Sequence, residues 1–442
     1  VKVIVAGGGI SGLASSWELM RLGHEVTLLE QDVQLGGKLQ TMMVDSIRVE
    51  LGPDSYLRRN ASANELLNDL GLDEISPAAG RALLYTSTGT QPIPAGLNLG
   101  APTQVHQALT NHLVPLSARL RAAAGVLRAH MRIEEGGDDL GAIVNNRFGR
   151  RWSDANIEPL VGGINANTIY GLSARTSAPA ILAGKLPASP GGSMGPAFGT
   201  PSTGLSTLVA HLRSELEAGG CQIVTSSPVQ SIERISPSNV AASTPTETYS
   251  GQRLLIALPS FKSASLLGPI FPEGLDLLRS IHYASVSMLI AYSKQPLPPH
   301  LAKISGVLVA RDLGLMTTAV SIASNKWPDW TGRVGTLVRI STGSLYDRRH
   351  LRMNDAELRD TLLLETSQIL GHQFDWAWDR TVRWNRSFPH FRPYHAKFIA
   401  ELDARLLDRF HGDIALTGSY VNGSGIPTCI ATARSRSRQL VS

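Results

Sequence analysis

Three glycines and one acid near the start of the chain have the types and spacing of a phosphate grip. The glycines lie in Gly7-Gly-Gly-Ile-Ser-Gly12, and Glu30 follows roughly 20 residues on. Gly7 suits a sharp strand-to-helix turn, Gly9 lets backbone approach a pyrophosphate, and Gly12 lets a helix pack closely on a strand. The phosphates would rest on the positive end of that helix, where Gly8, Ile10 and Ser11 complete the turn. Glu30, with Gln31 beside it, would accept hydrogen bonds from an adenosine ribose. A glycine-rich turn that holds nothing is the plainer reading, but here the strand, the helix and the acid all stand where a ligand needs them. An adenine dinucleotide is expected, and this stretch alone suits NAD and FAD equally.

The elements that must position these residues follow from local pattern. Residues 1–6 read as an apolar strand, 11–21 as a helix and 24–29 as a second strand. Leu35-Gly-Gly-Lys38 is a second glycine turn, and 39–49 reads as a hairpin. Glu50-Leu-Gly-Pro-Asp-Ser-Tyr56 is a rigid turn of the kind that brings backbone amides to a ligand. A short helix is expected over 64–70, with Gly71 at its end. Residues 85–102 read as loop, 103–132 as a basic helical segment broken near Pro115, 134–139 as an acidic linker and 147–161 as a helix. The stretch 187–201, rich in Gly, Pro and Ser, reads as mobile or as a boundary.

Ser202 and Thr203 should cap an amphipathic helix with Leu205, Leu208, Val209, Leu212 and Leu216 on one face and Gly219 past its end. Strands are expected over 222–225, 229–235, 253–258, 285–292 and 336–340. Asn354 and Glu357 form a capping box for a long helix that Gly371 ends. A strand over 414–418 and a helix over 429–440 follow. This is an α/β chain of interleaved design. Residues 1–80, 200–260 and 385–442 assemble the nucleotide domain, 81–199 form a mainly helical excursion, and 261–384 form a second, α+β excursion.

The 442 residues are 43% hydrophobic and 17% charged, which suits a large buried core. Cys221 and Cys429 give neither a disulfide framework nor a metal spacing, and fit a reducing cytoplasm. No apolar run reaches the roughly 18 residues that span a bilayer. Gly7 to Gly9 interrupt what could pass for a signal-peptide core. Net charge is +5 and pI about 9.3. No acid falls between Glu74 and Glu134, whereas Arg81, Arg119, Arg121, Arg128 and Arg132 do. That block favours an acidic partner, a polycarboxylate substrate or an anionic membrane surface, over an ordinary solvated face no more than evenly. Its Leu109, Leu113, Leu116, Leu120, Val126 and Leu127 form either a core stripe or a side for a membrane surface. No nucleic-acid signature is present.

Motifs further along narrow the reading. They are Gly52-Pro-Asp-Ser-Tyr56, Glu158-Pro-Leu-Val-Gly-Gly163, Ser202-Thr-Gly-Leu205, Asn325-Lys-Trp-Pro328 and Gly418-Ser-Tyr-Val-Asn-Gly-Ser-Gly-Ile-Pro-Thr-Cys-Ile430. With them the chain resembles, almost end to end, the flavin-containing porphyrinogen oxidases of haem synthesis, within the amine oxidase-like FAD superfamily. The bacterial branch of that family acts on coproporphyrinogen III and the mitochondrial branch on protoporphyrinogen IX. The resemblance implies a Rossmann-like FAD-binding domain interleaved with a substrate-binding domain and a mainly helical domain. It implies FAD held at its ADP half by Gly7, Gly8, Gly9, Ile10, Ser11, Gly12, Glu30, Gln31, Gly37 and Lys38. Gly52, Pro53, Asp54 and Ser55 would lie along the flavin and ribityl chain, Val229 at the adenine and Trp384 near the flavin. Ser424, Gly425 and Ile426 would present backbone amides to the pyrimidine end, where reduction places negative charge.

The implied activity is oxidation of coproporphyrinogen III to coproporphyrin III with oxygen as acceptor. Flavin N5 would take the hydride, and no side chain is assigned as base. Protoporphyrinogen IX oxidation, or an amine oxidase or desaturase activity on the same scaffold, are the alternatives, with a non-catalytic nucleotide binder as a different class. Peripheral membrane contact or handover to a haem-pathway enzyme would suit the basic block. The chain departs from the family at Thr428, where an Asp is usual, and at Phe388-Pro-His-Phe391 and Tyr394-His395. It also carries Arg434, Arg436 and Arg438 where small residues are usual. Arg58 and Arg59 follow the flavin-lining turn and are candidates to pair with a substrate propionate, against a merely solvated pair. His390, His395 and His411 lack metal spacing and read as surface or packing residues, with His395 also weighed as a substrate neighbour. Cys429 reads as a small packed residue, and Trp376 and Trp378 as core.

Overall fold

The computed structural model describes residues 1–58, 60–128, 137–183 and 197–442. A parallel five-stranded sheet lies at its centre. In spatial order its strands are Gln222–Val224, Glu25–Leu29, Lys2–Ala6, Arg253–Ile256 and Ile414–Leu416. These strands read as apolar runs because both faces are covered. Val3 and Val5 point into a core with Leu13, Leu205 and Ile430. Ile4 and Ala6 point the other way, into a core with Ile232, Phe271 and Ile399. Strands from residues 2–29, 222–224, 253–256 and 414–416 thus converge on one sheet.

Helix Ile426–Val441 lies on helix Ile10–Arg21. Glu18, 4% exposed, is clamped between them by Arg434 Nε at 2.8 Å and Arg438 Nε at 2.6 Å. Arg436 pairs with Asp403 on helix His395–Phe410. The three arginines that depart from the family pattern therefore fasten this helix to its neighbours.

A second sheet has seven strands, ordered Trp376–Pro389, Tyr283–Ser293, Thr336–Thr342, Thr317–Ile322, Ile304–Val309, Arg81–Thr86 and Gly89–Pro92. The last two belong to a segment that the sequence reading groups with the helical excursion and partly takes for loop. They join the sheet instead, because Leu83 and Tyr85 pack into the core beneath it, with Val307 and Leu362. The other face of the sheet meets the hairpin Thr41–Val44 and Ile47–Glu50 through Ile47, Val49, Met288 and Ile290.

The helical layer differs from expectation in two ways. One helix was expected over 147–161, but Gly149, at φ 90°, ends helix Leu140–Phe148. Ser153–Gly162 then winds as a π-helix around Pro159, whose ring and missing N–H do not fit an α-helical interior. In helix Leu116–Leu127 the buried residues are Ala118, Ala122, Ala123 and Gly125, while Leu116, Leu120 and Leu127 are 64%, 55% and 74% exposed. A Cβ on Gly125 would lie 2.0 Å from the Arg147 carbonyl oxygen, so only small residues fit on the inner side. The leucines are no core stripe.

Caps also divide. Asn354 and Glu357 form their box and Gly371 ends the helix at φ 63°. Ser202 and Thr203 do not cap helix Leu205–Ala218, which starts at Gly204. The Leu205 N–H donates to Glu50 Oε1 at 2.8 Å and the Ser206 N–H to Thr41 Oγ1 at 3.1 Å. Arg59, Arg132, the first half of the expected acidic linker and most of the 187–201 stretch lie outside the described residues. Among the described residues no helix is long and apolar enough to cross a membrane.

Candidate functional site

Strand Lys2–Ala6 ends at the carboxyl edge of the parallel sheet and turns at Gly7, φ 105°, a conformation that favours glycine. A Cβ on Gly7 would lie 2.8 Å from the Ala257 carbonyl oxygen, and one on Gly12 would lie 1.8 Å from that of Gly7. Both glycines are demanded by packing within the chain. A Cβ on Gly9 would meet nothing within 4 Å. Gly9 therefore keeps clear a space that the protein does not use itself. Helix Ile10–Arg21 begins there without a side-chain cap, so its first N–H groups are left for a ligand.

Two further turns stack on this one. The Gly36 N–H donates to the Gly8 carbonyl at 2.8 Å, and Gly37 lies against Gly9. Gly52 comes so near the second turn that a Cβ would sit 2.0 Å from the Lys38 carbonyl oxygen. Glu30 is buried and accepts the Gly8 N–H at 2.6 Å and the Asp32 N–H at 2.8 Å. Each of its oxygens keeps a lone pair that a ribose hydroxyl could use. Gln31 is exposed beside it. The Ser227 N–H donates to the Glu30 carbonyl at 2.7 Å, which brings half-buried Val229 to the same edge.

Lys38 has an exposed side chain, yet burial by surrounding protein lowers its pKa, with nearby Cys429 opposing. That combination marks a group lining a cleft. Burial pushes the Cys429 thiol up to about 11, with Ser11 and Lys38 beside it acting the other way. At neutral pH it is a protonated, packed thiol. Ser11 meets Cys429, and Glu18 meets Arg434 and Arg438, so helices Ile10–Arg21 and Ile426–Val441 run parallel. The second also starts without a side-chain cap, at Gly425 between Ser424 and Ile426. Two uncapped helix N-termini thus open in the same direction.

The turn at Gly52, Pro53, Asp54 and Ser55 is held from the seven-stranded sheet. The Trp384 indole N–H donates to the Leu51 carbonyl at 2.8 Å. Arg339 donates to the Gly52 carbonyl. Asp54 is buried, with Lys326 Nζ at 2.7 Å and Arg339 Nη1 at 2.9 Å from Oδ2, and it accepts the Ser55 hydroxyl at 2.8 Å. Burial alone would raise its pKa, but Lys326 and Arg339 hold it well below the usual carboxylate range. The Asp54 side chain shapes the turn.

Sequence reasoning assigned no role to Glu50, Lys326 or Arg339. Lys326 sits in the quoted Asn325-Lys-Trp-Pro328 motif and Glu50 heads the rigid turn, whereas nothing in its strand context singles out Arg339. Glu50 is 1% exposed and accepts from Leu205 N–H and Thr41 Oγ1, while its Oε2 has no partner. Burial pushes its carboxyl up to about 7 against the opposing pull of Leu205, Thr41 and Arg339, with Asp54 adding to the rise.

Other candidates are placed as follows. Arg58 Nε lies 2.8 Å from Glu74, so its guanidinium already has an acidic partner within the chain. His395 Nε2 lies 2.7 Å from the Tyr420 carbonyl, which can only accept, so that nitrogen carries the proton and the ring ties helix to loop. Burial, with His282, Arg392 and His395 nearby, lowers His390 to about 4, and its Nδ1 meets the Asn167 amide. His411 caps helix His395–Phe410 at φ 53°. Trp378 stacks on Tyr292 and Trp376 packs beside Phe374, both as core.

The profile of the flavin containing amine oxidoreductases matches residues 10–441. The coproporphyrinogen III oxidase of Bacillus subtilis (strain 168) is 26% identical over 456 residues, covering 97% of this chain and 95% of that protein. That of Mycobacterium tuberculosis (strain H37Rv) is 28% identical over 451 residues, again covering 97% and 95%. Among solved structures, an Exiguobacterium protein assigned as a protoporphyrinogen oxidase superposes with a TM-score of 0.88 at 25% identity, covering 100% of this chain and 99% of that one.

Proposed function

The chain belongs to the flavin containing amine oxidoreductase family, and from that premise we propose that it oxidises coproporphyrinogen III to coproporphyrin III. FAD is its cofactor and oxygen the acceptor. The conversion removes six electrons and six hydrogens in three steps of two, and three oxygen molecules leave as hydrogen peroxide. The observation that carries this reading is the crevice itself. Three glycine turns and two uncapped helix N-termini open toward a sheet that reaches over them through Trp384 and Arg339, with Lys326 added from the short helix Ala323–Lys326.

When bound, FAD supplies the two-electron acceptor for each step. The chain's own residues supply position and field. The N–H groups after Gly9 would hold the pyrophosphate, with Glu30 and Gln31 at the ribose and Val229 at the adenine. Gly37, Lys38 and the Gly52–Ser55 turn would flank the ribityl chain. The N–H groups at Ser424, Gly425 and Ile426 would stabilise negative charge at the pyrimidine end. Trp384 and Arg339 pin the Leu51 and Gly52 carbonyls, so the turn is set before a ligand arrives.

The test is porphyrin fluorescence and peroxide release from flavin-loaded protein given coproporphyrinogen III or protoporphyrinogen IX. Faster turnover of coproporphyrinogen is expected. Oxidation of neither sinks the reading, and oxidation of an amine in their place would favour the amine oxidases.

We place the protein in the cytoplasm, with a peripheral membrane contact or a handover partner at the outward face of helix Leu116–Leu127. The exposed Leu116, Leu120 and Leu127, next to Arg121 and Arg128, favour an anionic lipid surface.

A further inference from the structure

Strand Trp376–Pro389 carries a bulge just past Trp384. Val286 pairs with Trp384 and Ala284 with Phe388, so one residue on one strand, Ser285, faces three on the other, Asn385, Arg386 and Ser387. The bulge is pinned by the Arg386 N–H donating to Ser285 Oγ at 2.9 Å and by Ser387 Oγ donating to the Trp384 carbonyl at 2.9 Å. At its apex Arg386 adopts φ 48°, a left-handed conformation that costs a long side chain energy and that clusters at functional sites. Glycine would fit there without strain.

The side chain this bulge aims is unusual in its company. The Arg386 guanidinium lies 3.6 Å from the centroid of the Phe261 ring, and Phe261 in turn packs edge-on against Tyr283 at 5.3 Å. Arg386 is exposed, and among the described residues no carboxylate lies within ion-pair distance of it. A guanidinium stacked by its face keeps its edge N–H groups free for a planar, bidentate anion. Its location is equally specific. Phe261 follows Leu258, which a Cβ on Gly7 would strike at 2.8 Å, and Trp384, two residues before Arg386, is bonded to Leu51. The unpaired cation therefore stands where the seven-stranded sheet meets the glycine turns, beside an aromatic wall.

We propose that Arg386, stacked on Phe261, binds a carboxylate of the substrate and helps set which carboxylate-bearing ring system the crevice accepts. This rests on the porphyrinogen reading above. Arg58, the candidate suggested by sequence, differs from Arg386 in having an acidic partner, Glu74, within the chain.

The experiment titrates flavin-loaded protein with coproporphyrin III and with its tetramethyl ester, following quenching of porphyrin fluorescence. Arg386→Gly relieves the left-handed strain and is expected to fold and to keep the bound-flavin absorption spectrum. It should bind the tetra-acid roughly 10- to 100-fold more weakly, as expected for a charge-assisted bidentate pair, and the ester no differently from wild type. Arg386→Lys should recover part of the loss, because it keeps the charge but not the fork. If wild type oxidises coproporphyrinogen and Arg386→Gly binds the tetra-acid as tightly as wild type, the assignment of Arg386 is overturned and the activity stands. If wild type binds no tetrapyrrole and oxidises none, the porphyrinogen reading falls, and this one with it.

Discussion

Arg339 holds the Gly52–Ser55 turn at two points: its Nη1 lies 2.9 Å from Asp54 Oδ2, and its Nη2 donates to the carbonyl of Gly52, two residues earlier. With Lys326 on the same oxygen, one carboxylate serves two nearly buried cations. Asp54→Ala would leave both uncompensated and should cost about 3–5 kcal/mol of stability, measured by chemical denaturation without cofactor. The depressed pKa gives a sign as well. The contribution of Asp54 is present above its unfolded pKa and is lost as pH falls through the lower folded value. Asp54→Asn should therefore flatten the acid limb of the stability curve. An unchanged acid limb would show that the pair contributes nothing net.

The glycines of the first turn should separate cleanly under mutation. Gly12→Ala places a methyl 1.8 Å from the Gly7 carbonyl oxygen and should destabilise the protein by ~3 kcal/mol or more, seen in thermal melts. Gly9→Ala meets no protein atom and its φ of −72° suits alanine, so the melting of cofactor-free protein should stay near wild type. The flavin content of purified Gly9→Ala should nevertheless fall steeply. Full flavin occupancy in that variant would remove Gly9 from the pyrophosphate site.

Much of this was legible early, and for a reason. Gly7 and Gly12 are required by backbone collisions within one βαβ start, so a local spacing records them. The convergence of distant motifs was legible only as resemblance, since Lys326 and Asp54 are far apart in sequence and no period links them. The leucines of Leu116–Leu127 show the limit most plainly. Periodicity places Leu116, Leu120 and Leu127 on one side, but which side faces inward was decided by Gly125 and the Arg147 backbone against it. Likewise, Glu50 caps a helix that spacing assigns to Ser202 and Thr203, because the helix starts past Gly204 and its first N–H meets a carboxylate from another element.

Glu50 should make stability fall as pH rises through mildly acidic values. Its folded pKa, about 7, lies above the ordinary 4.5, so the folded state holds the proton more tightly. The penalty is absent below about pH 4.5 and grows to about 3 kcal/mol by pH 7. Glu50→Gln keeps an acceptor for Leu205 N–H and Thr41 and should remove that slope. Parallel pH–stability curves for the two proteins would refute the assignment.

The outward leucines should matter little to folding. Leu116→Ser, Leu120→Ser and Leu127→Ser should each change stability by no more than about 0.5 kcal/mol, as exposed positions usually do. Together they should abolish flotation with phosphatidylglycerol vesicles at low salt. Wild-type protein that fails to float at any salt concentration would end the membrane reading.

The parallel sheet places Lys2–Ala6 between Glu25–Leu29 and Arg253–Ile256, and the latter beside Ile414–Leu416, with helix Ile426–Val441 laid on helix Ile10–Arg21. On the ribosome, the first glycine turn emerges long before the partners that complete it. At about 5–20 residues per second, the wait between Gly7 and Ile426 is on the order of 20–80 s. Through that interval the nascent chain holds an apolar strand with an unpaired edge and a helix whose Glu18 has no arginine. Helix Ile426–Val441 can join the first turn only after that interval, so binding of the proposed cofactor would be a late event in the life of each molecule.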